Sequence, residues 1–194
     1  MPNDAVLVLL TKMNLPPIVP LLIDPAGGST NITFEYLSDT EVYWSCSTVW
    51  KNDMIVFGGS THRDQVSRVE SCTLKRIGTL AFSFNVGACT STPADDIYLC
   101  FDNKLINGCR VGSEPTGNYA ETERAFYGHY NTRIAASTTE ILAVGQFRDG
   151  QSHANVEKIE LGMRTWKPLL AYPFAESMAQ APILYHTDSF YHIS

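Results

Sequence analysis

The chain lacks an apolar run long enough to cross a membrane. A spanning helix takes about 20 consecutive apolar residues, whereas the first apolar run, residues 5–10, ends at Thr11 and Lys12. No cationic stretch precedes this run, which also makes it a poor signal peptide. We therefore interpret residues 5–10 as a buried strand and expect no membrane insertion by this segment.

Basic residues are also scarce. The 194 residues include 14 Lys and Arg against 20 Asp and Glu, a formal net charge of −6. A nucleic-acid surface needs a stripe of Lys and Arg to neutralise phosphates, and here the basic residues are scattered. Nucleic acid is therefore not an expected partner. The content of hydrophobic (44%) and charged (18%) residues is typical of one packed globular body.

Recognisable metal, phosphate and catalytic motifs are missing as well. The cysteines contain no Cys-x₂-Cys pair, and Gly58, Gly59 and Ser60 are not followed by a phosphate-binding Lys. Histidines occur singly, without a partner two or four positions away, which favours solvated loops or core positions over metal ligands. They are His62, His129, His153, His186 and His192. We therefore expect no metal, no cofactor and no catalytic residues.

What the chain does have is a repeated strand. Short apolar runs, each introduced by one acidic residue, begin at Asp53, Asp96, Glu140 and Asp188, with separations of 43, 44 and 48 residues. A period in this range is typical of a β-propeller, whose four-stranded blades bury both faces only when neighbours stack on them. A β-sandwich is the alternative, but it gives no reason for these runs to resemble one another.

The repeat predicts an all-β chain, a β-propeller of four-stranded antiparallel blades. Complete blades are expected at 41–85, 86–131 and 132–176, with partial blades at 5–40 and 177–194. In the second blade the predicted strands are 86–91, 97–101, 104–110 and 119–127. We expect either an excerpt of a larger propeller or a four-bladed ring in which residues 180–185 complete the first blade.

Two features resemble kelch-repeat propellers. Gly58 and Gly59 match the glycine pair that ends the second strand of a kelch unit, and Trp166 matches the tryptophan that opens the fourth. The second unit departs from this pattern with Phe101 and Asp102, and the third has a single glycine, Gly145. The resemblance implies a protein-interaction scaffold without catalysis. The alternative it leaves open is part of a galactose-oxidase-like or carbohydrate-processing propeller enzyme.

Five cysteines fall in the first two units: Cys46, Cys72, Cys89, Cys100 and Cys109. Cys100 and Cys109 fall on adjacent predicted strands, where a hairpin would set them opposite each other with Cα atoms about 4.4–6.8 Å apart. We predict them as a disulfide pair. The alternative is that all five are apolar core residues of a reduced cytoplasmic protein.

An extracellular or cell-surface location is favoured over a cytoplasmic one. The cysteines indicate an oxidising compartment, and Asn31 begins the single acceptor triplet for N-glycosylation, Asn-Ile-Thr. The triplet is a glycosylation site only in a secreted chain, so it supports this location only together with the cysteines.

Polar loops between second and third strands are the predicted binding surface. The loops 60–64 and 146–154 leave the propeller on the same face as the links between blades, and loops on a rigid scaffold often carry function. The candidate binding residues are His62, Arg63, Asp64, Arg148, Asp149 and His153. We expect a protein partner, or a glycan, to contact them; solvated turns are the alternative.

Overall fold

Every regular element in the described part of the chain is a strand. The computed structural model describes residues 6–8, 21–23, 29–31, 45–70, 73–129, 132–145, 155–163, 165–171, 183–186 and 189–192. These ranges contain no helix, and so none with the length and apolar character that crossing a membrane takes. The predicted all-β class is confirmed.

The first three described strands form a small sheet. Strands β1 (Val6–Val8), β2 (Leu21–Ile23) and β3 (Ser29–Asn31) pair antiparallel in that order.

Three four-stranded sheets follow β3. Sheet 1 consists of β4 (Cys46–Trp50), β5 (Asp53–Phe57), β6 (Gln65–Glu70) and β7 (Thr73–Thr79). Sheet 2 consists of β8 (Ala88–Ser91), β9 (Ile97–Cys100), β10 (Cys109–Gly112) and β11 (Ala120–Glu121). Sheet 3 consists of β12 (Arg133–Ala136), β13 (Glu140–Val144), β14 (Val156–Glu160) and β15 (Trp166–Pro168). Each sheet is an antiparallel meander in chain order, so the predicted three four-stranded units are confirmed.

A hairpin of β16 (Ile183–His186) and β17 (Ser189–His192) follows sheet 3. Among the described strands, β16 pairs with β17 and β1 pairs with β2, and β1 and β16 belong to different sheets. The described strands therefore do not show the closed ring in which residues 180–185 would complete the first sheet. The blade boundaries stay predictions.

Sheet 2 is covered on both faces, which explains why its second strand is apolar throughout. Ile97 and Leu99 pack with Phe57 of sheet 1, whereas Tyr98 and Cys100 belong to the cluster that contains Trp166 of sheet 3. Successive side chains of a strand point to opposite faces. A strand buried on both faces therefore needs apolar residues without alternation.

The first strands of successive sheets lie side by side. β4 contacts β8, β8 contacts β12, and β12 contacts β16. Thr48 Oγ1 donates to Ser91 Oγ at 3.1 Å, and the Trp50 indole donates to the Asp95 carbonyl at 2.8 Å. From the first of these contacts to the second, the residue numbers increase on both sides, so β4 and β8 run in the same direction.

Each four-stranded sheet has two ends. We name the turn end after the hairpins that join first to second and third to fourth strands, which include residues 51–52, 92–96, 113–119 and 161–163. The connection end carries the loops from second to third strands, among them residues 58–64 and 101–108, and the links between sheets.

The second half of sheet 2 differs from the predicted strands. The third strand is Cys109–Gly112 rather than 104–110, because Asp102 accepts hydrogen bonds from the amides of Lys104 (2.7 Å) and Leu105 (3.0 Å) and turns the chain. The fourth strand is only Ala120–Glu121 rather than 119–127. Beyond it the chain is held by bonds to the loop before β10, such as His129 N to Ile106 O at 2.7 Å.

Candidate functional site

The predicted loop 60–64 lies at the connection end of sheet 1, with its backbone fixed and its charges exposed. Phe84 N donates to Arg63 O at 2.6 Å, and Leu80 N donates to Asp64 O at 2.7 Å. The side chains of Arg63 and Asp64 are exposed, and that of His62 is half-buried. A polar loop held in one conformation presents these side chains without having to be ordered on binding.

Gly58 makes this anchoring possible. Its φ is +67°, and a Cβ atom there would lie 1.9 Å from the carbonyl oxygen of Phe84. A side chain would therefore be strained by the backbone and would also collide with the segment that anchors the loop. This close approach accounts for a glycine at the end of β5.

Three of the predicted binding residues, Arg148, Asp149 and His153, lie outside the described residues. Cys72 also lies outside them. Asn31 is the last residue of β3 and pairs with Leu21, and its glycosylation stays a prediction.

Cys100 and Cys109 form a disulfide bond. The two residues are direct register partners on β9 and β10, as the hairpin prediction requires. Their Cα atoms are 4.0 Å apart, closer than the predicted range. The next pair of residues along the hairpin is hydrogen-bonded, from Phe101 N to Gly108 O. In an antiparallel ladder such pairs alternate with non-hydrogen-bonded pairs, whose Cα atoms lie closer together.

A second disulfide joins Cys46 of β4 to Cys89 of β8. It was not predicted. The two cysteines are 43 residues apart, the same distance as separates Asp53 from Asp96. They are therefore equivalent positions on neighbouring first strands, and this match of spacing to repeat length is the signal that could have identified the pair.

A buried carboxylate ties sheet 3 to the segment that follows sheet 2. Glu157 of β14 accepts hydrogen bonds from Phe126 N (2.9 Å), Tyr127 N (3.0 Å) and His129 Nε2 (2.7 Å), and the side chains of Glu157 and His129 are fully buried. Burial by itself would raise the pKa of Glu157, but the bonds from His129 and the two amides hold that pKa below its ordinary value. The carboxylate therefore stays ionised.

This anchoring leaves two aromatic side chains exposed at the connection end. Phe126 is 70% exposed and Tyr127 is 42% exposed, although their backbone amides are both held by Glu157. This pair was not predicted, because the pattern of residues 119–127 favours a strand. Its only signal is a run of two aromatics ahead of His129 in a segment rich in charge.

A cleft of about 440 Å³ opens at the turn end of sheet 2. Its lining residues include Asp96, Tyr98, Gly112, Ser113, Asn118 and Tyr119, together with Gly162 of the hairpin between β14 and β15. These residues come from three separate hairpins. Sequence reasoning did not identify the cleft, and it lies at the end of the sheets opposite the predicted loops.

The described residues contain no group of three or more His, Cys, Asp or Glu side chains placed to hold a metal ion. No protein-family model matches the chain, and no curated protein matches it.

Proposed function

We propose that the chain is a protein-interaction scaffold built as a β-propeller that resembles kelch propellers. Two observations support the arrangement: consecutive four-stranded meanders stack face to face, and their first strands β4, β8 and β12 lie side by side. In a propeller, first strands line the central axis, and blades cover one another in this way.

The observation that carries the proposed function is the set of exposed side chains on fixed backbones at the connection end. Arg63 and Asp64 project from a loop bonded to residues 80–84, and Phe126 and Tyr127 project from a segment bonded to Glu157. Arginine and aromatic residues are enriched in protein interfaces, and they dominate binding energies when the surrounding structure is already ordered.

We further propose an extracellular or cell-surface location. Two disulfides in the first two four-stranded sheets fit an oxidising compartment, since such bonds are rare in reduced cytosol. A glycan on Asn31 would fit the same location.

The test compares partner capture from an extracellular extract by the chain and by two variants, Arg63→Ala and Phe126→Ala. Truncating an interface anchor typically costs about 1–2 kcal/mol or more, which is about fivefold to thirtyfold or more in affinity. We expect both variants to lose the proteins that the unchanged chain retains. Arg76→Ala is the matched control, because Arg76 is an exposed arginine on β7, away from the connection end.

Two results would count against the scaffold. Unchanged capture by Arg63→Ala and Phe126→Ala would show that the connection end does not bind the partner. Stoichiometric copper in the purified chain, measured by mass spectrometry of the metal, would instead favour the galactose-oxidase-like alternative.

A further inference from the structure

We propose that the cleft at the turn end of sheet 2 is a binding site for a neutral saccharide. The site does not depend on the proposed scaffold function, because it lies at the opposite end of the sheets from Arg63 and Phe126. Its volume of about 440 Å³ falls within the roughly 300–1,000 Å³ of small-molecule sites.

The charge of the cleft selects against other classes of ligand. Among the described residues that line it, Asp96 is the one with a charged side chain, and none is a Lys or an Arg. An anion such as phosphate would be repelled by that carboxylate and would find no cation among these residues. A calcium ion takes about six to eight oxygen ligands, which one carboxylate does not supply.

The polar groups of the cleft offer both donors and acceptors. Within the described part of the chain, the Asp96 carboxylate, the Ser113 hydroxyl and the Asn118 carboxamide make no side-chain hydrogen bond to protein. Hydroxyl and carboxamide groups each donate and accept, whereas a carboxylate only accepts. A cationic amine would use the acceptors alone, but the hydroxyl groups of a sugar use both.

Two tyrosines, Tyr98 and Tyr119, line the cleft together with the apolar side chains of Val111 and Ala120. Aromatic rings present apolar faces beside a polar tip, which suits the C–H faces and hydroxyl edges of a pyranose. Tyr119 is half-buried, whereas Tyr98 is 5% exposed and packs in the core, so Tyr119 is the ring that a sugar would contact. The Tyr119 hydroxyl donates to Pro115 O at 3.3 Å, and its ring meets the Phe82 ring edge-on with centroids 5.8 Å apart. Burial raises the pKa of Tyr119, so this hydroxyl stays protonated.

Gly112 fits the cleft for a steric reason. A Cβ atom at this position would lie 3.0 Å from two ring atoms of Tyr119 and 2.9 Å from the Asn118 carbonyl oxygen. Strand β10 can therefore lie against Tyr119 only without a side chain there. The wall of the cleft is built by close packing between β10 and the hairpin that follows it.

The test is a titration of the isotope-labelled 194-residue chain followed by amide NMR shifts. The probes are D-glucose, D-galactose and N-acetyl-D-glucosamine, with inorganic phosphate and ethanolamine as an anion and a cation. A ligand the size of one sugar ring should bind with a dissociation constant of about millimolar. We expect at least one sugar to shift the amides of residues 96–98 and 112–120.

Two variants and a control assign the binding to the cleft. Asp96→Asn should weaken sugar binding about tenfold, because it replaces one carboxylate acceptor with an NH₂ donor and removes the charge. Asn118→Ala should weaken it about fivefold, because it removes the carboxamide. Asp95→Asn makes the same chemical change one residue away, where the carboxylate lies 3.9 Å from the Lys51 ammonium in an exposed pair. It should bind sugar as the unchanged chain does.

Three results would overturn the proposal. The first is the absence of sugar-dependent shifts up to about a hundred times the expected constant. The second is sugar binding that Asp96→Asn and Asn118→Ala leave unchanged. The third is binding of phosphate or ethanolamine at the cleft in place of every sugar. The amide spectrum of each variant reports its fold in the same experiment.

Discussion

At the scale of single residues, Glu157 has the most demanding environment. An ionised carboxylate taken out of water is costly unless hydrogen bonds compensate it. Glu157 has three donors, two of them the backbone amides of Phe126 and Tyr127 and the third the ring of His129. The same bonds that stabilise the charge also fix the segment that presents the exposed aromatic pair.

Glu157→Gln should destabilise the chain by about 3 kcal/mol, since removing one partner of a buried pair leaves the others unsatisfied. A carboxamide places an NH₂ donor where the carboxylate accepted, so the two amides and His129 compete for a single oxygen. Urea unfolding at neutral pH measures this loss. Glu160→Gln, in an exposed pair with Lys167, is the control and should have little effect.

The stabilisation by Glu157 should depend on pH in one direction. Its pKa in the folded chain lies below its ordinary value, so the unfolded chain takes up the proton first as the pH falls. The stabilisation is complete above the ordinary carboxyl pKa and is lost as the pH falls through the lowered value. The difference between the chain and Glu157→Gln should therefore shrink in acid. A difference that is constant down to pH 3 would contradict this account.

At the scale of elements, second strands were the easiest to predict and outer strands the hardest. The strands β5, β9 and β13 coincide with the predicted apolar runs. Each strand begins at the acidic residue that introduces its run or at the residue after it. A strand covered on both faces leaves a continuous apolar signal. The fourth strand of sheet 2 was predicted too long, because bonds from residues 122–129 to the 101–108 loop and to Glu157 override local strand propensity.

The two disulfides should differ in their accessibility to reductant. Cys100 and Cys109 are fully buried, whereas Cys46 and Cys89 are partly exposed on the first strands. Thiol exchange needs direct access of the attacking thiolate to a sulfur atom. Under native conditions, dithiothreitol should therefore reduce the 46–89 bond first, and the 100–109 bond should open only when urea is added.

Timed alkylation followed by peptide mass spectrometry measures both rates. Equal rates without denaturant would show that access does not set the order. Finding Cys100 and Cys109 both free in secreted material prepared without reductant would contradict the pairing itself.

At the scale of the whole molecule, the repeat predicted more of the fold than of the candidate sites. A period near 44 residues yields three four-stranded sheets because each repeat folds as one unit. Loop 60–64 was identified because its charges are contiguous in sequence. The cleft combines Asp96, Asn118 and Gly162, and the aromatic pair depends on Glu157, about 30 positions away. Contacts of that kind follow from how sheets stack, which spacing alone does not encode.

The arrangement of the terminal sheets predicts self-association of the 194-residue chain. Among the described strands, β1 pairs on one side with β2, and β17 pairs on one side with β16, so each leaves an edge of backbone groups without a strand partner. Such edges pair with other chains unless they are covered, and stacked repeats need closed or capped ends. Sedimentation velocity at increasing concentration should therefore show dimers or larger species.

Leu170→Ser, which changes an outer side chain that is 93% exposed, should leave this association unchanged. A monomer that melts in one sharp transition would contradict the prediction and favour a ring closed between the two terminal sheets.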